Sequence, residues 1–141
     1  MRFFTPLLSL AAAFGAVAAQ EAARFGSVTV SPSSVKFDQA ITVSYNSSTA
    51  VSKPVAVDFY LSGTLGNGFV LPDYPLASIA DMQNVSYVTF QRPLPVLDST
   101  STNGYEANTT FLVVAMLTYP ESASGALARG GTSAPISVLL Q

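Results

Sequence analysis

Residues 55–61, Val-Ala-Val-Asp-Phe-Tyr-Leu, carry the pattern that decides the fold. One face of an extended chain would carry only large apolar side chains here: Val55, Val57, Phe59 and Leu61. Successive side chains of a β-strand point to opposite faces, so this alternation predicts a strand with one buried face. Most residues of the stretch are β-branched or aromatic, and such residues favour strands.

Similar runs occur on both sides of this stretch, and turn-forming residues separate them. Strands are predicted over Phe25–Val30, Ala40–Tyr45, Phe69–Leu71, Asn84–Gln91, Thr109–Tyr119 and Ala134–Leu140. The run Thr109–Tyr119 is apolar on both faces, which predicts the centre of a sheet. About seven short strands without a helix predict an all-β domain, a β-sandwich of the immunoglobulin or fibronectin-III type. The chain has no cysteine and no tryptophan, so the fibronectin-like variant fits better.

The first nineteen residues have the parts of a secretory signal peptide. Arg2 supplies the positive charge, an apolar run extends over Leu7–Val17, and small residues precede Gln20. The apolar run is shorter than the ~20 residues that span a bilayer. We predict cleavage before Gln20, with the bond between Ala18 and Ala19 as the alternative. The protein is therefore predicted to be secreted and extracellular.

The predicted mature chain, residues 20–141, has the length of a single domain. It has no cysteine, so its stability must come from packing and hydrogen bonds rather than disulfides. Removal of Arg2 leaves five basic and eight acidic side chains, a net charge of −3. The absence of a basic cluster argues against a nucleic-acid partner. No second apolar run is long enough to span a bilayer, so stable membrane insertion is not predicted. With charged residues at only 10%, the surface must be covered largely by uncharged polar side chains, as suits an extracellular glycoprotein.

Missing residue types exclude most catalytic chemistry. The chain has no histidine and no cysteine, which excludes Ser-His-Asp triads, thiol catalysis and histidine-ligated zinc or copper. The segment Gly63–Gly68 lacks the lysine of a phosphate-binding loop and is interpreted as a turn. The acidic residues are scattered singly, and Asp58, the one in mid-strand, fits a solvated acid better than a catalytic carboxylate. We therefore predict no enzyme, no catalytic residue, no metal site and no cofactor.

Three N-glycosylation sequons begin at Asn46, Asn84 and Asn108. Each asparagine falls in a predicted loop or at a strand end, and entry into the secretory route would expose all three to glycan addition. Asn46 is the best placed of the three. The alternative is that asparagine simply favours turns.

Two predicted loops are candidates for binding. Leu71–Pro75 presents Tyr74 between two prolines, although this segment could equally be a crossover packed on the core. Gly125–Gly131 is predicted to be a flexible loop that carries Arg129. Loops on a rigid scaffold often bind partners, and tyrosine and arginine often anchor interfaces.

Several short segments resemble small secreted proteins of filamentous fungi. These are the signal sequence, Ala23-Arg24-Phe25-Gly26, Val30-Ser31-Pro32-Ser33-Ser34-Val35, and Asn84-Val85-Ser86-Tyr87 leading to Pro93-Leu94-Pro95. In pattern, over most of the predicted mature chain, the layout is similar to the necrosis-inducing secreted effector family of plant-associated fungi. The resemblance implies a disulfide-poor β-sandwich that perturbs host immune signalling by binding. It supplies no catalytic residues.

Three functional hypotheses follow. The first is a secreted, non-enzymatic binding or effector protein that recognises an extracellular or host partner. The second is a cell-wall-associated structural or adhesion module. The third is a small carboxylate-based hydrolase. The partner is thus an unknown protein or a wall polysaccharide.

Overall fold

The computed structural model describes residues 19–95 and 109–139. Within these ranges the chain forms one short helix, residues 19–25, and eight strands in two sheets, one of them a curled half-barrel. The strands are β1 Ser27–Ser31, β2 Ser34–Lys36, β3 Ala40–Asn46, β4 Ala56–Thr64, β5 Tyr74–Ile79, β6 Tyr87–Pro93, β7 Thr110–Pro120 and β8 Leu127–Leu139. The described residues are mostly β, as predicted, but they form eight strands rather than about seven and include one short helix. Residues 1–18 of the predicted signal peptide and Asn108 lie outside the described residues.

The smaller sheet has the order β1-β3-β6, and the larger has the order β2-β8-β7-β4-β5. All pairs are antiparallel except β2 and β8, which are parallel. β7 lies at the centre of the larger sheet, as its two apolar faces predicted. No helix in the described ranges is long and apolar enough to cross a membrane.

The core lies between the inner faces of the two sheets. The predicted alternation is confirmed in the middle strands, which bury the following side chains: Ile41, Val43 and Tyr45 of β3, Val57, Phe59 and Leu61 of β4, and Phe111, Val113, Ala115, Leu117 and Tyr119 of β7. Phe59 joins the sheets, with its ring centroid 6.1 Å from that of Tyr45 and 4.9 Å from that of Phe90. Full burial of one large apolar side chain contributes about 1.5–3 kcal/mol. Apolar packing therefore stabilises the domain without disulfides.

The prediction of a flexible loop over Gly125–Gly131 is wrong, because β8 already begins at Leu127. Arg129 pairs with Thr118 of β7 inside the sheet. The small residues of this segment serve close packing rather than flexibility: a Cβ added at Gly130 would lie 2.4 Å from the ring of Phe25. The turn between β7 and β8 is confined to residues 121–126.

Near the prolines, one predicted strand is absent and one unpredicted strand is present. Phe69–Leu71 is not a strand, and only Val70 forms an isolated bridge, to Thr64. β5 instead occupies Tyr74–Ile79 and includes Pro75. β5 lies at the edge of its sheet, where a proline is tolerated.

The helix over residues 19–25 and strand β2 were not predicted. The helix ends at Gly26, whose N–H donates to the carbonyl of Ala22 at 2.9 Å and whose φ is 88°. A glycine with positive φ directly after the last turn is a common helix C-terminus. β2 has only three residues, too few for an alternating pattern to show.

Candidate binding site

One end of the domain brings together four segments that are separate in the sequence. These are the helix over residues 19–25 and the connections 47–55, 80–86 and 121–126. We call this region the loop end. Strands β4 and β6 begin here, and strand β7 ends here.

Backbone hydrogen bonds tie the segments of the loop end together. The N–H of Val51 donates to the carbonyl of Ala23 at 3.2 Å, and the N–H of Ser52 donates to that of Arg24 at 2.9 Å. The connection 47–55 is therefore held against the helix. On its other side, the N–H of Met82 donates to the carbonyl of Val55 at 2.9 Å.

A groove of about 620 Å³ opens at the loop end. Its lining consists of Arg24, Val51, Ser52, Lys53 and residues 119–123, which include Tyr119 and Glu121. Val51 is an apolar side chain that is 83% exposed. The groove thus combines an aromatic residue, an exposed apolar residue and charges of both signs.

Arg24 is held in place by aromatic neighbours. Its guanidinium carbon lies 5.0 Å from the ring centroid of Phe25, and its Nη2 lies 3.5 Å from the Tyr119 hydroxyl. Phe25 is itself buried, with its ring 5.7 Å from that of Tyr119. A cation over an aromatic ring is attracted by the ring electrons. The exposed guanidinium of Arg24 therefore lies beside two aromatic residues at the groove.

Lys53 fixes the shape of the connection 47–55. Its Nζ donates hydrogen bonds to the carbonyls of Ser47 and Ser48, each at 2.8 Å. Bonds from a charged donor are stronger than bonds between neutral groups. Together with the bonds of Val51 and Ser52 to the helix, they preorganise the rim of the groove.

Among the described residues, no three His, Cys, Asp or Glu side chains come close enough to hold a metal ion. The acid singled out from the sequence, Asp58, lies away from the groove on the outward face of β4. Its Oδ2 accepts from Arg129 Nη2 at 3.2 Å, and its Oδ1 accepts from Ser78 Oγ at 2.6 Å. The side chains of the ion pair are 61% (Arg129) and 45% (Asp58) exposed, so Asp58 has the surroundings of a solvated strand acid.

The same outward face carries Tyr60, next to Asp58 in the alternation of β4. Burial raises the pKa of Tyr60, Asp73 raises it further, and Arg129 opposes the shift. Tyr60 therefore lies within electrostatic reach of both Asp73 and Arg129. This places Arg129 in a polar cluster on the larger sheet rather than in a binding loop.

Tyr74, the other residue predicted to bind, is the first residue of β5 and is 43% exposed. It lines a cleft of about 320 Å³ with Pro75, Leu76, Arg92 and Pro93. β5 begins opposite the far end of β4, so this cleft is remote from the loop end. The structure therefore does not bring Tyr74 into the groove, nor does it bring Arg129 there.

Sequence reasoning missed Arg24, Val51 and Lys53 as groove residues. Arg24 lies one residue before a predicted strand, and the other two lie in a segment interpreted as a polar loop. The one signal in the sequence was that basic residues are rare, since Arg24 and Lys53 are two of only five after Arg2.

Two of the sequons lie at the loop end. Asn46 ends β3 with an exposed side chain whose Oδ1 accepts from the N–H of Ser48 at 2.9 Å. Asn84 is exposed in the connection 80–86 and lines a cavity of about 470 Å³ beside Lys53. The two sequons are linked because the N–H of Ser47 donates to the carbonyl of Ser86 at 2.8 Å. Glycans on both asparagines would project from the same end of the domain.

Comparisons with known proteins give no family. No protein-family model matches the sequence, and no curated protein matches it. Among solved structures, the chain is similar to Spo0M, a sporulation control protein from Bacillus subtilis, with 12% identity and a TM-score of 0.46. The match covers 82% of this chain and 49% of that chain, so the chain spans about half the length of Spo0M.

Proposed function

We propose that this chain is a secreted, non-enzymatic protein that binds an extracellular or host protein through the groove at its loop end. The observation that carries the proposal is the groove itself, where the guanidinium of Arg24 lies over the ring of Phe25 and the side chain of Val51 is exposed. Secretion rests on the signal-peptide pattern, and a role as an effector rests on the resemblance to secreted fungal proteins. We further propose that the two sheets form a β-sandwich of the immunoglobulin or fibronectin-III type.

The composition of the groove favours a protein partner. Interfaces are rich in tyrosine and arginine, and their strongest contacts often surround a desolvated apolar centre. Arg24 and the exposed Val51 supply such elements side by side, above the buried Tyr119. Lys53 and Glu121 lie in the same groove, where opposite charges can set the orientation of a partner.

The test is a pull-down with the secreted protein from extracellular and wall fractions. Val51→Asp should abolish capture of a partner that the unmodified protein retains, because it places a charge at the apolar rim. Val70→Asp is the matched control, because Val70 is also exposed, at 60%, but lies in the connection beyond the far end of β4. Equal capture by all three proteins would show that the groove does not bind the partner.

The second candidate function is a cell-wall-associated module, and the outward face of the smaller sheet favours it. Three cross-strand rows of uncharged polar side chains cover this face: Ser27, Asn46 and Tyr87; Thr29, Ser44 and Thr89; Ser31, Thr42 and Gln91. Ser44 Oγ lies 2.6 Å from Thr89 Oγ1, which donates to the Tyr87 hydroxyl at 3.2 Å. A face of hydroxyl and amide groups without charge suits a neutral polysaccharide.

Wall binding separates the two candidates. If the polar face holds the protein on the wall, Thr29→Glu should release it from insoluble wall polysaccharide, because the new charge stands on this face. Val51→Asp should leave that binding unchanged. Recovery of the unmodified protein entirely in the culture filtrate would contradict the wall module.

A further inference from the structure

We propose that β6 is a self-association edge, through which two copies of this chain pair antiparallel about Thr89 and join their smaller sheets into one six-stranded sheet. The proposal concerns the edge of the smaller sheet, so it does not depend on the groove at the loop end or on any ligand.

Among the residues that the structure describes, β6 has a strand partner on one side only. Within the described residues, β6 is last in the order β1-β3-β6 and is hydrogen-bonded to β3 on one side. The opposite margin of this sheet is different, because β1 lies against β8. Unpaired N–H and C=O groups along an edge strand are a template for another strand.

The first five residues of β6 lack the features that usually protect an edge, whereas Arg92 and Pro93 at its end are a charge and a proline. The stretch Tyr87–Gln91 contains no charge, no proline and no glycine. β5, an edge of the larger sheet, has Pro75 near its start and an irregular register opposite Phe59 and Tyr60. Proline, bulges and charges are the common means of preventing edge pairing. β5 is thus protected and Tyr87–Gln91 is not.

The side chains of β6 also leave apolar surface uncovered. No residue of the strand is fully buried, and Tyr87 is 58% exposed. Val88 and Phe90 face the core but stay partly exposed. Addition of a further strand would cover the remaining surface of these two side chains.

A second copy fits this edge because the strand is complementary to itself. Thr89 is the central residue of Tyr87–Gln91, and a two-fold axis through it places Thr89 opposite its own copy. Val88 then lies opposite Phe90, and Tyr87 lies opposite Gln91. Every one of these pairs is uncharged, whereas Arg92 and Pro93 fall outside the central ladder. A two-fold contact of this kind closes on itself and stops at a dimer.

The dimer should be weak and concentration-dependent. A ladder of five residues buries less area than the roughly 1,200 Å² of a stable interface. The experiment is sedimentation of the purified protein, after enzymatic removal of any N-glycans, from about 10 µM to about 1 mM. We expect the average mass to rise with concentration toward twice the monomer mass.

Charge variants at Thr89 test the register. Thr89→Lys should weaken dimerisation about tenfold, because like charges directly opposite each other destabilise a strand pair. Thr89→Glu should do the same, and an equimolar mixture of the two variants should restore the dimer through opposite charges. Thr29→Lys is the matched control, because it lies in the same row of the same face but on β1, and it should dimerise normally.

Several results would overturn the proposal. One is a protein that remains monomeric at the highest concentration. Another is dimerisation that Thr89→Lys leaves unchanged, or a mixture of the two charge variants that stays monomeric. If a variant does not fold, hydrogen exchange of the unmodified protein decides: the amides of residues 87–91 should exchange more slowly as concentration rises, and those of β5 should not. Equal protection of both edges would refute pairing through β6.

Discussion

The hydroxyl of Tyr45 offers the sharpest test of how this domain is held together. Tyr45 is fully buried, and its hydroxyl donates a 2.6 Å hydrogen bond to the carbonyl of Phe25. Phe25 is the last residue of the short helix, where backbone carbonyls lack partners within the helix. The bond therefore attaches the helix to the core. Tyr45→Phe removes this bond and changes little else in the packing.

We expect Tyr45→Phe to lower the free energy of unfolding by about 1–3 kcal/mol at neutral pH, because a buried carbonyl loses its partner. Tyr87→Phe is the matched control. It makes the same chemical change on an exposed side chain one strand away, where substitutions shift stability by about 0.5 kcal/mol or less.

The same hydroxyl should also make the free energy of unfolding depend on pH in the alkaline range. Burial raises the pKa of Tyr45 well above its usual value. The folded state therefore holds this proton more tightly than the unfolded state, in which tyrosine titrates near pH 10. The resulting stabilisation is fully present below about pH 10 and is lost as pH rises toward the folded-state pKa, with a slope of up to about 1.4 kcal/mol per pH unit. Tyr45→Phe has no such proton, so its deficit relative to the unmodified protein should shrink above pH 10.

Urea unfolding followed by circular dichroism measures both signatures. The series compares the unmodified protein, Tyr45→Phe and Tyr87→Phe between pH 7 and pH 11. A loss of less than about 0.5 kcal/mol in Tyr45→Phe at pH 7 would refute the buried hydrogen bond. A deficit that stays constant from pH 7 to pH 11 would refute the raised pKa.

Three further substitutions test the packing. Gly130→Ala should destabilise the domain by about 1–3 kcal/mol, because the new Cβ would meet the ring of Phe25. Adding Phe25→Leu to this variant should recover part of the loss, and additive effects of the two substitutions in urea unfolding would contradict the clash. Asp58→Asn should cost less than about 1 kcal/mol, because its ion pair with Arg129 is solvent-exposed, and a cost above 2 kcal/mol would contradict this. Any hydrolytic activity that survived Asp58→Asn would also exclude this residue as a catalytic carboxylate. Leu117→Ala should cost about 2–5 kcal/mol, because Leu117 is fully buried at the centre of the larger sheet, and a cost below 1 kcal/mol would contradict its place in the core.

The strands with one buried face were predictable because their signal is local. In β3 and β4 every second residue over 41–45 and 57–61 is large and apolar, and the burial follows this period. β7 is apolar on both faces and lies in the middle of its sheet. Each of these properties can be seen within about ten consecutive residues.

The wrong predictions depend on contacts between distant residues. Pro75 interrupts a central strand but not an edge strand, and only the assembled sheet shows that β5 is an edge. Gly130 and Gly131 resemble a turn in the sequence, yet Gly130 is small because Phe25 packs on it. The partner lies near the other end of the chain, so no local pattern could show the contact.

The groove could not be predicted for the same reason. Arg24, Lys53 and Glu121 are far apart in the sequence, and no motif connects them. They meet because the helix packs on the end of β7 and because the connection before β4 and the connection after β7 lie at the same end of the domain. Tyr74 and Arg129 were predicted to bind on the basis of residue type alone. Residue type does not determine where a side chain lies in the folded structure.

The distribution of charge allows the proposed binding surfaces to be distinguished by salt. Five of the eleven charged residues in the described ranges lie at the loop end: Glu21, Arg24, Lys53, Asp81 and Glu121. The outward face of the smaller sheet and the stretch Tyr87–Gln91 carry none. Salt shortens the reach of exposed charges from about 10 Å at 0.1 M to about 3 Å at 1 M. Capture of a protein partner at the groove should therefore weaken over this range, whereas pairing through β6 should not. Groove binding that is insensitive to salt would mean that the exposed apolar side chain of Val51, rather than the charges around it, supplies the recognition.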